Sequence, residues 1–190
     1  MAIILASQSP RRQELLARIG VEDFKTLSLD IDESYPEGLS PEDTVRYIAK
    51  KKCDAAAALC SPDDLIITAD TMVFLGNDRL GKPRDEEDAL RMLRALSGRG
   101  HTVCTGVSVR RGAQEERFAV STRVFFRPMT DDEIRAYIKT GEPMDKAGAY
   151  GVQSRGALFV ERIDGDFFNV MGLPVEQLGL VLARFGVKLL

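Results

Sequence analysis

Hydrophobic and polar positions divide this chain into strand-like and helix-like segments that alternate along most of its length. Ile3 to Ala6 is a short unbroken apolar run and predicts a buried strand. Ser7, Gln8 and Ser9 form a polar turn. Pro10 then opens a helix, with Ser9 suited to the N-cap and proline placed where its missing N–H costs nothing. Gly20 stands where a helix C-cap belongs. Phe24 to Leu29 alternates like a strand with one buried face, and the acidic, turn-rich Asp30 to Leu39 reads as a loop. Ser40, Pro41 and two acids make a strong helix start, and apolar residues recur at helical spacing as far as Leu59. Leu65 to Ala69 is continuous and β-branched in character, a central strand that ends in Asp70 and Thr71.

The second half follows the same logic. Gly81, Lys82 and Pro83 predict a loop, and Asp85 caps a helix that stops at Ser97-Gly98. His101 to Arg110 and Glu116 to Phe126 alternate and are joined through Arg111 to Gln114, which predicts a long antiparallel pair. Thr130 to Glu133 fits a capping box at the start of a short helix ending near Gly141. Glu142 to Ala157 carries a proline, several glycines and clustered polar groups without strand or helix periodicity, and long ordered loops of this kind are usually functional. Ala157 to Asp166 reads as a strand into a turn, and Val175 to Phe185 as a last amphipathic helix.

Composition narrows the chemistry. At 190 residues the chain is long enough for one domain or two small lobes with a real core. A net charge of −3 gives no global attraction to nucleic acid or an anionic membrane surface, so any cationic site is local. No charged-then-apolar leader opens the sequence, and no apolar run reaches the roughly 18 residues of a membrane helix. The expected location is therefore cytoplasmic. The 3 cysteines, Cys53, Cys60 and Cys104, are odd in number and lack C-x-x-C spacing, which supports neither a disulfide framework nor a zinc site. Cys53 and Cys60 are expected to share the apolar face of one helix. His101 is the only histidine, so a His-rich metal centre is excluded within one chain. Catalysis, if present, rests on carboxylates, lysines, arginines and a hard metal ion held by oxygen.

Several segments carry candidate chemistry, each with a plain alternative. Arg11 and Arg12 lie in the first turn of the first helix, where the dipole disfavours cations. They suit a phosphate site in which helix N–H groups and arginine forks point at one anion, or a capped helix with arginines facing water. Asp32 and Glu33 read as solvated loop charges or metal-facing carboxylates. Lys50, Lys51 and Lys52 span about a turn, so at most one or two reach a common ligand and the rest face solvent. Asp70, at the end of a buried strand, sits where open α/β sheets place ligands, or satisfies nearby backbone N–H groups. Asp145, Lys146, Tyr150 and Gln153 are candidate ligand contacts of the long loop, and His101 reads as structural.

Read together, these segments resemble the Maf family of nucleoside triphosphate pyrophosphatases. The resemblance rests on ASQSPRR, Asp32-Glu33, IAKKK ending in Lys52, ADT at Ala69 to Thr71, GKP, SGRGHTVCTGV, EPMDKAGAYGVQ and NVMGLP, in order over nearly the whole chain. Three positions separate the family's branches. The dTTP/UTP branch has arginine after SP, threonine after the catalytic aspartate and glutamine closing the AGAYGIQ segment, whereas the 7-methyl-GTP branch has tryptophan, glutamine and glutamate. Arg11, Thr71 and Gln153 match the first. Ser154 stands where glycine is usual and Phe168 where tyrosine is usual. Ser154 raises the question of whether the loop needs a positive backbone angle there.

The resemblance implies an α/β fold of two lobes with a cleft between them, similar to the inosine triphosphate pyrophosphatases, formed by residues 1–190 as one Maf-like domain. It implies hydrolysis of dTTP and UTP, and modified pyrimidine triphosphates with them, to the monophosphate and pyrophosphate. The rivals are the same chemistry on 7-methyl-GTP and a non-catalytic nucleotide-binding regulator of cell division. Implied roles are Asp70 as the catalytic residue, Ser9, Arg12, Lys52 and Lys82 on phosphates, Arg11, Thr71 and Gln153 on the base, and Glu33 with Asp70 on a divalent cation, Mg2+ or Mn2+. A homodimer is also implied. Gln153 carries both a donor and an acceptor, which suits the carbonyl–NH–carbonyl edge of uracil or thymine.

Overall fold

A computed structural model describes residues 1–190. The strands are β1 (Ile3–Leu5), β2 (Phe24–Thr26), β3 (Leu65–Leu75), β4 (Asp78–Leu80), β5 (Gly100–Arg111), β6 (Gln114–Phe126) and β7 (Val160–Asp164). The helices are α1 (Pro10–Arg18), α2 (Pro41–Ala57), α3 (Glu86–Leu96), α4 (Asp131–Ile138), α5 (Phe167–Met171) and α6 (Val175–Arg184). The strands form one mixed sheet in the order β2-β1-β3-β5-β6-β7, with β4 paired to β3. The chain divides into two compact units. The first holds Met1–Asp70, Thr105–Val120 and Gly172–Leu190, and the second holds Thr71–Cys104 and Ser121–Met171.

In the first unit β1 runs parallel to both β2 and β3, with Ile4 opposite Ile66 and Leu5 opposite Ile67. Ile4, Ala6 and Ile66 share a face and pack with Cys53 and Ala56 of α2. Leu5 and Ile67 point the other way and are equally buried, which is why the strand sequences are continuously apolar. Ser40 caps α2 as its sequence predicts, its hydroxyl accepting from the Asp43 N–H at 3.1 Å. Two buried contacts fix α2 against the sheet. Thr68 Oγ1 donates to the Ala49 carbonyl at 2.7 Å. Gly106 of β5 lies so close to α2 that a Cβ there would stand 2.3 Å from the Val45 carbonyl carbon.

In the second unit β3 turns back through Gly76-Asn77 to pair antiparallel with β4, and β6 pairs antiparallel with β7. Its core includes an aromatic cluster in which His101 meets Phe126 and Tyr150 edge-on, at 4.9 and 5.4 Å between ring centres. His101 Nε2 lies 2.8 Å from the Tyr150 hydroxyl. The structural reading of His101 holds. Asp85 caps α3, and the Thr130–Glu133 capping box opens α4.

Several boundaries differ from the sequence reading. β2 stops at Thr26 instead of Leu29, because β1, the strand it pairs with, is itself only 3 residues long. α2 ends at Ala57, so Cys60 lies beyond the helix, although it still packs against the cluster containing Cys53. β3 does not end at Asp70. It continues to Leu75, because β4 supplies a partner for Val73 to Leu75. The loop from Glu142 is built of short 3-10 turns, the last running over Arg155–Phe159, so β7 begins at Val160 and not at Ala157.

Candidate active site

The geometry of the first unit gathers four of the sequence candidates. β1 ends at Leu5, with the Ala6 N–H donating to the Ile67 carbonyl, while β3 runs on past that point to Asp70. Asp70 therefore stands beyond the end of its parallel neighbour, where the β1–α1 turn departs. Along β3, Ile66, Thr68 and Asp70 lie on one face by the strand's period of two. Ile66 packs with Cys53 and Ala56, Thr68 bonds to Ala49, and Asp70 meets Lys52.

Lys52 Nζ is 2.8 Å from Asp70 Oδ1 and 2.8 Å from Glu33 Oε1, so one ammonium bridges two carboxylates. The side chains of Lys52 and Asp70 are 15% and 9% exposed, whereas Glu33 is 49% exposed. The other lysines of the run go elsewhere, Lys50 to Asp54 at 2.5 Å and Lys51 to Asp32 at 3.2 Å. Asp32 is a loop carboxylate held at a pKa of about 2, first by hydrogen bonds from Ser34 and then by Lys51. The long expected arc of the lysine run is therefore observed, with Lys52 alone turned to Asp70.

Arg12 is held at the same place from two directions. Its Nε donates to the Gly172 carbonyl at 2.8 Å and its Nη1 to the Ser7 hydroxyl at 3.2 Å. Burial lowers its pKa, opposed by the charges of Asp70 and Glu33 and assisted by Arg11. Sequence reasoning missed Ser7 and Gly172 as the partners that aim Arg12. The NVMGLP segment contained the second, yet nothing local marks a carbonyl as the acceptor for a side chain 160 residues away. Ser9 is the N-cap of α1, but its hydroxyl makes no cap bond. The Ser9 carbonyl accepts the first intrahelical bond, from the Gln13 N–H at 3.2 Å, and proline stands in the first turn. Arg11 follows on the same turn, partly buried.

Thr71 is the next residue of β3 and half-buried. Lys82 and Gln153, in the second unit, are exposed on loops, the first after β4 and the second between short turns. Of the other loop candidates, Tyr150 is overturned as a ligand contact. It is 6% exposed and points inward to His101. Lys146 turns back on its own loop, to the Glu142 carbonyl and Asp145 Oδ1 at 2.7 Å each.

The family model described as "Maf-like protein" matches residues 2–185. The chain belongs to the Maf family. Among curated Maf-family relatives it is 47% identical to a protein of Bacillus velezensis, over 98% of this chain and 97% of the relative. It is 48% identical to one of a Geobacillus species, over 97% and 98%, and 45% identical to one of Pelotomaculum thermopropionicum, over 99% and 98%. Each carries the name dTTP/UTP pyrophosphatase. Among solved structures, a HAM1 protein from Coxiella burnetii superposes with a TM-score of 0.55 at 14% identity, over 97% of this chain and 99% of that one, a likeness of fold. Two departures from the Maf pattern are located by the fold. Ser154 has φ −125°, an ordinary backbone angle, so glycine is not required there. Phe168 is exposed at the start of α5, its ring edge-on to that of Phe167.

The donor set of this Maf protein suits a hard cation. Asp70 Oδ2 is buried and has no hydrogen-bond partner, an arrangement that costs free energy unless something electropositive meets the oxygen. No group of three His, Cys, Asp or Glu side chains is gathered anywhere in the chain. No helix is long and apolar enough to cross a membrane.

Proposed function

We propose that this chain hydrolyses dTTP and UTP, and modified pyrimidine triphosphates of the same pairing edge, to the monophosphate and pyrophosphate. The observation that carries the reading is Asp70, a carboxylate with one oxygen on Lys52 and the other buried without a partner. Its support comes from the relatives' printed names at 45–48% identity, together with Arg11, Thr71 and Gln153.

Phosphoryl chemistry depends mostly on positioning and on stabilising charge. Arg12, aimed by Ser7 and Gly172, grips phosphate oxygens with the α1 N-terminus, and Ser9 adds its hydroxyl. Lys52 and Lys82 act as point charges on the polyphosphate. Asp70 orients the attacking water and takes its proton. Asp70 and Glu33 would hold a divalent cation, Mg2+ or Mn2+, which would supply acidification of water and neutralisation of phosphate charge. Gln153 reads the carbonyl–NH–carbonyl edge, and Arg11 and Thr71 also serve base selection.

The test is pyrophosphate release over a panel of triphosphates, with and without Mg2+ or Mn2+. UTP and dTTP are expected to be turned over in a metal-dependent way, and Asp70→Asn is expected to lower kcat by at least about 100-fold. Faster turnover of 7-methyl-GTP than of UTP would overturn the base assignment. A folded protein inactive on every triphosphate would overturn the whole reading.

A further inference from the structure

The second unit contains a carboxylate that no step above uses. Glu142, half-buried after α4, collects donors from Tyr137 and from one end of a short turn. Its Oε1 accepts from the Tyr137 hydroxyl at 2.7 Å, the Ser154 hydroxyl at 2.6 Å and the Gly156 N–H at 3.2 Å. Its Oε2 accepts from the Arg155 N–H at 3.3 Å. Tyr137 in turn accepts from the Gly151 N–H at 3.1 Å. Tyr137 and Glu142 thus grip the chain at 151 and again at 154 to 156.

The gripped ends are pressed together. A Cβ on Gly156 would stand 2.5 Å from the Gly151 carbonyl oxygen and 2.8 Å from the Tyr137 hydroxyl. Between the two grips lie Val152, whose side chain is buried, and Gln153, which is exposed at the tip. None of the groups bonded to this carboxylate is a cation. Burial raises the pKa of Glu142, yet the bonds from Ser154, Tyr137, Gly156 and Arg155 together leave it below the ordinary value. A carboxylate kept charged by neutral donors on one turn is a clamp on that turn.

We propose that Tyr137 and Glu142 are positioning residues for base selection: their clamp on the Gly151–Gly156 turn holds Gln153 in the orientation that reads a pyrimidine. The inference rests on the reading of Gln153 as the base contact. Preorganised hydrogen-bonding groups discriminate more sharply than mobile ones, because a rigid group cannot rotate to accept the wrong edge. Ser154 adds a bond to the clamp that the glycine usual in the family lacks.

The experiment compares Tyr137→Phe, Glu142→Gln, Gln153→Ala and the combined Glu142→Gln/Gln153→Ala with the full-length protein, using kcat and KM for UTP and GTP. Circular dichroism confirms folding, and amide exchange of 152–153 is read without nucleotide. Each clamp variant is expected to raise KM for UTP about tenfold with kcat within about threefold. The UTP-to-GTP preference should narrow, and exchange of 152–153 should quicken. The combined variant should be no worse than Gln153→Ala alone, because the clamp acts through that residue. Unchanged KM and exchange in folded clamp variants would overturn the proposal, as would effects that multiply in the combined one. A wild type that turns over no pyrimidine triphosphate would instead overturn the reading beneath it, and base selection by the clamp with it.

Discussion

Lys52 and Asp70, 18 residues apart in the chain, meet at 2.8 Å with Glu33 on the other side of the same ammonium. The contact depends on packing one turn of α2 away, where the Thr68 hydroxyl is bound to the Ala49 carbonyl. The helix cannot slide along β3 without breaking that buried bond. The pair is therefore a product of α2–β3 register and not of side-chain reach alone.

Removing one member of a poorly hydrated ion pair leaves the other charge stranded. Lys52→Met is expected to destabilise the protein by about 3 kcal/mol. Asp70→Asn should cost less, because Lys52 keeps Glu33. The double substitution should recover part of the Lys52→Met loss. Urea unfolding of the four proteins measures the coupling, and strict additivity would contradict the pairing.

Arg12→Lys keeps the charge and loses the fork. A lysine cannot hold the Gly172 carbonyl and the Ser7 hydroxyl together as the guanidinium does. KM for UTP is expected to rise by about tenfold or more. Initial rates over a range of UTP concentrations check it, and an unchanged KM would remove Arg12 from the phosphate grip.

His101 makes stability depend on pH. Burial pushes its pKa from 6.5 down to about 4 in the folded protein. Its Nδ1 has no partner, and its ring is packed against Phe126 and Tyr150. Between those values the unfolded chain binds the extra proton and the folded one does not. The contribution is therefore complete above about pH 6.5 and is lost as pH falls towards 4, by about 3 kcal/mol in all. His101→Gln should lose less stability than wild type between pH 7 and 4.5 in urea titrations. Equal losses would show that the ring titrates normally.

Gly106→Ala should be strongly destabilising for lack of space. The added methyl would stand 2.3 to 2.6 Å from backbone atoms of Val45 and Arg46, which cannot move without shifting α2. A loss of about 3 kcal/mol or more is expected from forced overpacking. A wild-type urea midpoint would contradict the close approach of β5 and α2.

Most of the fold was legible because its signals are local. Ser40, Asp85 and Thr130 cap helices through bonds that span 3 residues, as the sequence predicts. The apolar runs of β1 and β3 and the alternation of β5 and β6 likewise announce strands. Segments failed where a partner decided the outcome. β2 was shortened by a short neighbour, and β3 was extended through Asp70 by β4. Tyr150 looked like a loop contact because composition cannot show that its hydroxyl turns inward to His101.

The sequence by itself determined the family, the candidate residues and the limits on chemistry set by a single histidine and three cysteines without C-x-x-C spacing. Only the tertiary structure decided which lysine of three meets Asp70, which of Asp32 and Glu33 shares it, and what aims Arg12. SQSPRR reads from sequence as a capped helix or a phosphate site. In the fold Ser9 holds the cap position without a side-chain bond, and Arg12 is aimed by Ser7 and by a carbonyl from the far end of the chain. Caps and periodicity are properties of neighbouring residues. A charge pair between a helix and a strand depends on register, which exists only once the core around Ile4, Cys53 and Ile66 has closed.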